Sequence, residues 1–293
     1  MIVRLYRKYL PKSFRDKIYH LFLRRVLTFF REFRGNIKSK FVYIFRNYLP
    51  KTSENKMFSF MGKHGLTILP YEFTLKYRKA TVGVREDTEN GLFYILQEGK
   101  RTYFPKSVKK PDRYYMGSIM EQDEESPHRY VKSYDELSGK TLLDIGAAEG
   151  NFSLSVIEKV DHVYLFECDP QWIEALNATF RPWKHKVTIV QKYVGDKNGE
   201  GMVSIDEFLK DKNKSNLFLK MDIEGAEIAA LKGASETLKN EDLSFSICTY
   251  HRNTDANDIA EIFLHHNFRY EFTDGMLFCG NKFRKGIIRS ISK

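Results

Sequence analysis

A chain of 293 residues that is 42% hydrophobic can bury a full core, and has room for one large domain or a catalytic domain with an appendage. Its net charge of +10 is concentrated in residues 1–50, with 13 Lys/Arg against 2 Asp/Glu, so the body is close to neutral; that excludes a uniformly basic surface and points to a local anionic partner, a membrane surface or nucleic acid. Cys168, Cys248 and Cys279 are scattered, which indicates neither a disulfide framework nor a zinc site, and no apolar run reaches the ~18 residues of a membrane span, so a cytoplasmic chain is expected.

Residues 1–50 read as a basic amphipathic helical arm. Ser13-Phe-Arg-Asp16 resembles a capping box, and Phe14, Ile18, Leu21, Phe22, Val26, Phe29, Phe30 and Phe33 follow at helical spacing, with Gly35 expected to end the helix. A second piece carries Ile37, Phe41, Ile44, Phe45 and Tyr48 before Pro50. The aromatic stripe opposite Arg15, Lys17, Arg24, Arg25, Arg31 and Arg34 is the pattern of a helix lying in an anionic membrane interface, and packing on the body is the alternative.

Residues 51–134 are expected to form a β-rich accessory region and loop. Short runs such as Leu66–Leu69, Phe73–Leu75, Thr81–Val84, Leu92–Leu96 and Arg101–Phe104 are separated by the turn signals Glu89-Asn90-Gly91 and Glu98-Gly99. Residues 108–135 look polar and irregular. They contain Ser126-Pro-His-Arg-Tyr130, a segment that either closes over a site or serves as linker.

From residue 140 strands and helices alternate, as a doubly wound α/β sheet requires. Strands are expected at 140–146, 162–168, 186–191, 217–222 and 244–250, helices near 150–159, 170–180, 203–210, 226–239 and 255–266, and two last strands near 269–273 and 275–280. The first of these strands runs into Asp144-Ile-Gly-Ala-Ala-Glu-Gly150. Two glycines spaced G-x-x-x-G behind an acidic residue, rather than G-x-G-x-x-G, favour S-adenosylmethionine over a dinucleotide. Glu167 ends the next strand about 20 residues on, where such a unit presents a carboxylate to ribose hydroxyls. The turn and the next helix N-terminus suit a methionine carboxylate. Asp144, Gly146, Ala147, Glu149, Gly150 and Glu167 are therefore the cofactor residues expected, with Asp196 a candidate for adenine or simply a turn aspartate before Asn198-Gly199.

Asp222 and Glu224 follow the fourth strand and His251 the fifth, at the carboxyl edge where α/β ligands bind. They are the candidate catalytic residues. Asp222 would act as a base or as the ligand of a divalent cation such as Mg²⁺, and His251 as a general base. Glu227 reads instead as a first-turn carboxylate favoured by the helix dipole. His128, Arg129 and Arg252 are candidate substrate contacts.

With Asp144–Gly150, Phe166-Glu167 and Leu219-Lys-Met-Asp-Ile-Glu-Gly-Ala-Glu227 in place, the chain resembles the FkbM-type methyltransferases. That family's K-x-D-x-E-G-x-E pattern is matched by Lys220, Asp222, Glu224, Gly225 and Glu227. The resemblance covers residues 135–285, leaving 286–293 as a basic tail. It implies a class I, Rossmann-like methyltransferase with a seven-stranded, mostly parallel sheet, binding S-adenosylmethionine and methylating oxygen, here expected on a sugar or glycan hydroxyl. An RNA methyltransferase is the rival enzyme, against which stands Asp222-Ile-Glu-Gly where amino-methylating enzymes carry an Asn/Asp-Pro-Pro-aromatic run. A membrane-attached cofactor-binding module without catalysis is the remaining class.

Overall fold

The computed structural model describes residues 24–291, so the capping box at Ser13–Asp16 and the stripe from Phe14 to Phe22 lie outside the described residues. Two compact units are present: the described residues up to Glu72 together with Phe278–Phe283, and Phe73–Leu277 together with Arg284 onward.

In the first unit, α1 (Arg24–Ile44) and α2 (Ser53–His64) pack together. The helix expected to end at Gly35 runs through it. Gly35 is buried, and a Cβ there would meet side-chain atoms at 3.1 Å or more, which leaves no steric reason for a stop. The strand expected at Leu66–Leu69 is absent. Thr52 caps α2 through its hydroxyl, which accepts from the Asn55 N–H.

In the second unit α3 (Thr74–Lys79) replaces the run expected at Phe73–Leu75. It precedes an antiparallel sheet of β1 (Arg85–Glu86), β2 (Phe93–Gln97) and β3 (Lys100–Phe104). Glu98 and Gly99, both at positive φ, make the tight β2–β3 turn that the sequence signalled. The segment expected to be irregular holds a helix, α4 (Pro111–Glu121), with Pro at its first turn.

The main sheet contains β4 (Thr141–Ile145), β5 (His162–Phe166), β6 (Val187–Val190), β9 (Leu217–Met221), β10 (Ser244–Cys248), β11 (Tyr270–Phe272) and β14 (Ile287–Ser290). Between them lie α5 (Asn151–Val156), α6 (Pro170–Phe180), the short pair β7 (Tyr193–Val194) and β8 (Met202–Val203), α7 (Ile205–Leu209), α8 (Glu227–Lys232), α9 (Asp255–His265) and the hairpin β12 (Leu277–Cys279) with β13 (Lys282–Arg284). The strand order is β11-β14-β10-β9-β4-β5-β6, parallel except for β14, which is antiparallel to both its neighbours. This is the expected mostly parallel seven-stranded sheet, with one correction at its edge. The segment expected as a tail from residue 286 instead supplies the inserted strand, with Ile287 and Ile288 fully buried, while the strand expected at 275–280 belongs to the hairpin.

Central strands read as unbroken apolar runs because helices cover both faces. Leu143, Ile145, Leu219, Met221, Phe245 and Ile247 fill one face beneath α8 and α9, and Leu142, Val163, Leu165 and Phe218 the other beneath α5 and α6. A division at residue 134 does not hold. The β1–β3 sheet packs on α6, where the Tyr103 N–H donates to Thr179 Oγ1 (2.9 Å) and Leu92, Tyr94, Tyr103 and Ala175 form one buried cluster.

Candidate active site

The sheet order reverses between β4 and β9, and the crevice at their carboxyl ends opens into a cavity of ≈ 700 Å³. One side is lined by the turn Asp144–Glu149 with Glu167, Cys168, Lys192 and Tyr193, and the other by Asp222, Glu224, Tyr130 and Tyr250. Helix α4 supplies a wall through Tyr114, Ser118 and Glu121. The segment that could have been mere linker is part of the site.

On the first side, Glu167 ties the turn to the end of β5: Oε2 accepts from Ala148 N–H (2.9 Å) and Oε1 from Asp169 N–H (2.8 Å). Each oxygen keeps acceptor capacity, so the carboxylate can still take ribose hydroxyls. Gly146 sits at φ +81°, and a Cβ there would lie 1.9 Å from the Asp222 carbonyl oxygen. It is therefore glycine because β4 and β9 close on each other at this level. Gly150, at φ +76°, would meet the Phe180 ring at 2.7 Å.

Asp144 lines the cavity but is spoken for within the protein. It accepts from Ser153 Oγ (2.6 Å) and pairs with Lys220 Nζ (2.8 Å), which also donates to the Gly146 carbonyl (2.7 Å). Burial opposes the Lys220 charge, yet Asp144 and Asp222 outweigh it and raise its pKa. Lys220 thus clamps the tips of β4 and β9 together.

Asp222, at the end of β9, is the acceptor of a dense cluster. Tyr130 Oη donates to Oδ2 (2.8 Å), His128 Nε2 lies 3.6 Å from Oδ2, and His251 Nε2 lies 3.3 Å from Oδ1. Burial alone would raise its pKa; His128, Lys220 and His251 outweigh that and hold the carboxyl well below the usual carboxylate range. It stays ionised across ordinary pH.

His251 does not line the cavity. It stands behind Asp222, with Nδ1 2.8 Å from Glu227 Oε1, an oxygen that also accepts from Ile223 N–H (3.0 Å). Burial pushes its pKa down, but Glu227, Asp222 and Glu224 prevail and raise it, with Nδ1 facing Glu227 and Nε2 facing Asp222. This corrects its expected role as a general base at the cavity. Glu227, 0% exposed, is likewise more than a dipole-favoured first-turn acid, because it orients His251.

The remaining candidates separate. Glu149 lines the cavity, with burial raising it to about 7 against a hydrogen bond from Ser118, and burial also raises Glu121 on α4. Glu224 lines the rim with its side chain 91% exposed, at φ +55° and followed by Gly225 at +97°. Asp196 is exposed and outside the cavity lining, two residues past Val194 of β7, which lines it. His128 is 1% exposed and hydrogen-bonded to Tyr250 Oη (2.8 Å), a support beneath Asp222 rather than a substrate contact. Arg129 donates to the carbonyls of Val131, Gln122 and Lys132 and braces its own loop. Arg252 is exposed beside Gly225, again outside the lining. Tyr130, Tyr250 and Glu121 carry no motif signal; only the fold brings them to Asp222.

S-adenosylmethionine fits these residues. Glu149 and Glu121 are carboxylates raised by burial in a cavity of cofactor size, and a ligand carrying a sulfonium and an ammonium offsets the cost of ionising them. Magnesium does not fit. The donor sets that converge on Asp222 are His128 with Cys248, and Glu227 with His251, whereas this ion demands an octahedron of oxygens.

Strand order, the glycine turn at the crevice and the carboxylate after β5 define a class I, Rossmann-like methyltransferase fold. Within the chain, residues 199–270 match a family model described as the methyltransferase FkbM domain. Among solved structures it is similar to the methyltransferase FkbM from Methylobacillus flagellatus KT, at 20% identity and a TM-score of 0.43, covering 59% of this chain and 52% of that one. It is also similar to a precorrin-6y C5,15-methyltransferase from Geobacter metallireducens GS-15, at 12% identity and a TM-score of 0.40 over 65% and 94% of the two chains. The chain thus spans about half the length of the first of these. No curated protein sequence matches it.

Proposed function

We propose that this chain is an S-adenosylmethionine-dependent O-methyltransferase acting on a sugar or glycan hydroxyl. The observation that carries the reading is the placement of Asp222, its pKa held well below the usual carboxylate range, in the same cavity as Gly146 and Glu167. The acceptor class comes from the family resemblance.

When bound, S-adenosylmethionine supplies an activated methyl group for an in-line displacement. Glu167 and the turn at 146–150 would hold its ribose and methionine ends, and Glu149 and Glu121 its positive charge. Asp222 accepts the hydrogen bond of the acceptor hydroxyl, points one of its lone pairs at the cofactor, and receives the proton as the hydroxyl oxygen becomes positive. A strongly acidic oxonium needs only a weak base, so the lowered pKa of Asp222 is no obstacle. Tyr130, His128 and His251 keep that carboxylate from rotating away.

The test is transfer of labelled methyl from S-adenosylmethionine to a panel of sugars and glycans, beside calorimetric titration of the cofactor. Asp222→Asn should lower turnover on the order of 100-fold while changing cofactor Kd only slightly. Transfer to amines or RNA but not to hydroxyls would overturn the acceptor class, and unimpaired turnover in Asp222→Asn would overturn the mechanism.

A further inference from the structure

The first unit has its helix faces arranged the opposite way round from an ordinary core helix. Gly35, Ser39 and Val42 of α1 are buried, and α2 closes on α1 at Ser39, where a Cβ on Gly62 of α2 would lie 2.2 Å from the Ser39 carbonyl oxygen. Small residues thus set a close helix–helix approach. The large apolar side chains point the other way: Ile37 and Phe41 are each 54% exposed and Ile44 64%, continuing into Phe45 at 43% and Tyr48 at 87% just past the helix. The Phe41 and Phe45 rings lie 4.6 Å apart, tilted at 43°.

At ~100° per residue, Ile37, Phe41 and Ile44 fall on one side of α1 and Gly35, Ser39 and Val42 on the other. Exposed Lys40 and Arg34 flank the apolar stripe on its two edges.

We infer that this face docks on a membrane bearing anionic phospholipids, the apolar stripe entering the acyl boundary while Lys40 and Arg34 meet phosphate headgroups. Charge decides the occupant. A second copy would set one basic face against another, and residues 1–23, with six Lys/Arg and one Asp, carry the same sign. No helix among the described residues is long and apolar enough to cross a membrane, so attachment is to the surface.

The test is flotation of the full-length chain with phosphatidylcholine vesicles, with and without phosphatidylglycerol, at low and high salt. Wild type should float only with the anionic vesicles and release at high salt. The double variant Phe41→Ser, Ile44→Ser should lower the bound fraction roughly tenfold without moving the unfolding midpoint, since both positions are exposed. Arg34→Glu with Lys40→Glu should lower it as well, independently of any effect of the serines on folding. Wild type that fails to float on anionic vesicles, or serine and charge variants that float as well as it does, overturns the inference. So does a wild-type dimer in solution that the serine variant converts to monomer, which would assign the face to a second copy.

Discussion

Glu149 offers the sharpest measurement, because its environment fixes both sign and size. Burial raises its pKa from 4.5 to about 7. The unfolded chain therefore ionises Glu149 from about pH 4.5 upward while the folded protein resists until about 7. Since the folded pKa is the higher one, this group's contribution to stability is intact below pH 4.5 and lost as pH rises to 7. At ~1.4 kcal/mol per pKa unit the loss is about 3 kcal/mol. Glu149→Gln removes the titration and keeps the shape, so other groups cancel in the difference. Urea unfolding of both proteins between pH 5 and pH 8.5 should give a variant that gains on wild type by about 3 kcal/mol across the range. Cofactor reads out the same group from the other side: S-adenosylmethionine, being cationic, should bind wild type more tightly as pH rises through 7, and its neutral demethylated product should not follow. A stability difference flat with pH would refute the reasoning.

How much of this was legible in the sequence depends on whether the signal is local. The β4 turn, Glu167 and Asp222 were readable because strand ends and their glycines are near neighbours in sequence, and the register of a parallel sheet puts every strand's carboxyl end on one edge. What failed was long-range or inverted. Asp196 was placed by its distance after β6, but it falls in the exposed loop between β7 and β8. Tyr130 lies 92 residues from the Asp222 it holds, and the Ser126–Tyr130 segment bears no periodicity to announce that. Glu227 was misjudged because a first-turn glutamate is usually favoured by the dipole alone, and only its complete burial beside His251 shows otherwise. Gly35 misled for a related reason: glycine commonly ends helices, yet here it permits close packing inside one. The sheet's inserted β14 looked like a basic tail because Arg289 and Lys293 mark a short terminal segment in which Ile287 and Ile288 are buried.

Two further substitutions separate structure from chemistry. Gly146→Ala should destabilise the fold by about 3 kcal/mol or more in a thermal or urea melt, with or without cofactor, because the new Cβ meets the backbone carbonyl of Asp222 rather than the end of a flexible side chain. Melting at the wild-type midpoint would show that β4 and β9 can part there. Glu227→Gln tests the cluster behind Asp222. Glu227 leads the influences that raise His251, so neutralising it should bring the histidine down toward its ordinary value, visible as a shifted imidazole titration by NMR. In wild type the folded His251 pKa is the higher one; its stabilisation is present below about pH 6.5 and lost as pH rises through the folded value, and the variant should lack that dependence. Leaving a buried imidazolium with one charged partner fewer should cost about 3 kcal/mol at pH 6 and less at pH 9. Turnover should fall too, since a neutral His251 no longer donates reliably to Asp222 Oδ1, whereas cofactor affinity should hold because neither residue lines the cavity. An unshifted His251 titration in Glu227→Gln would mean that Asp222 and Glu224 alone sustain the raised His251 pKa, and would remove Glu227 from the arrangement that orients the Asp222 carboxylate.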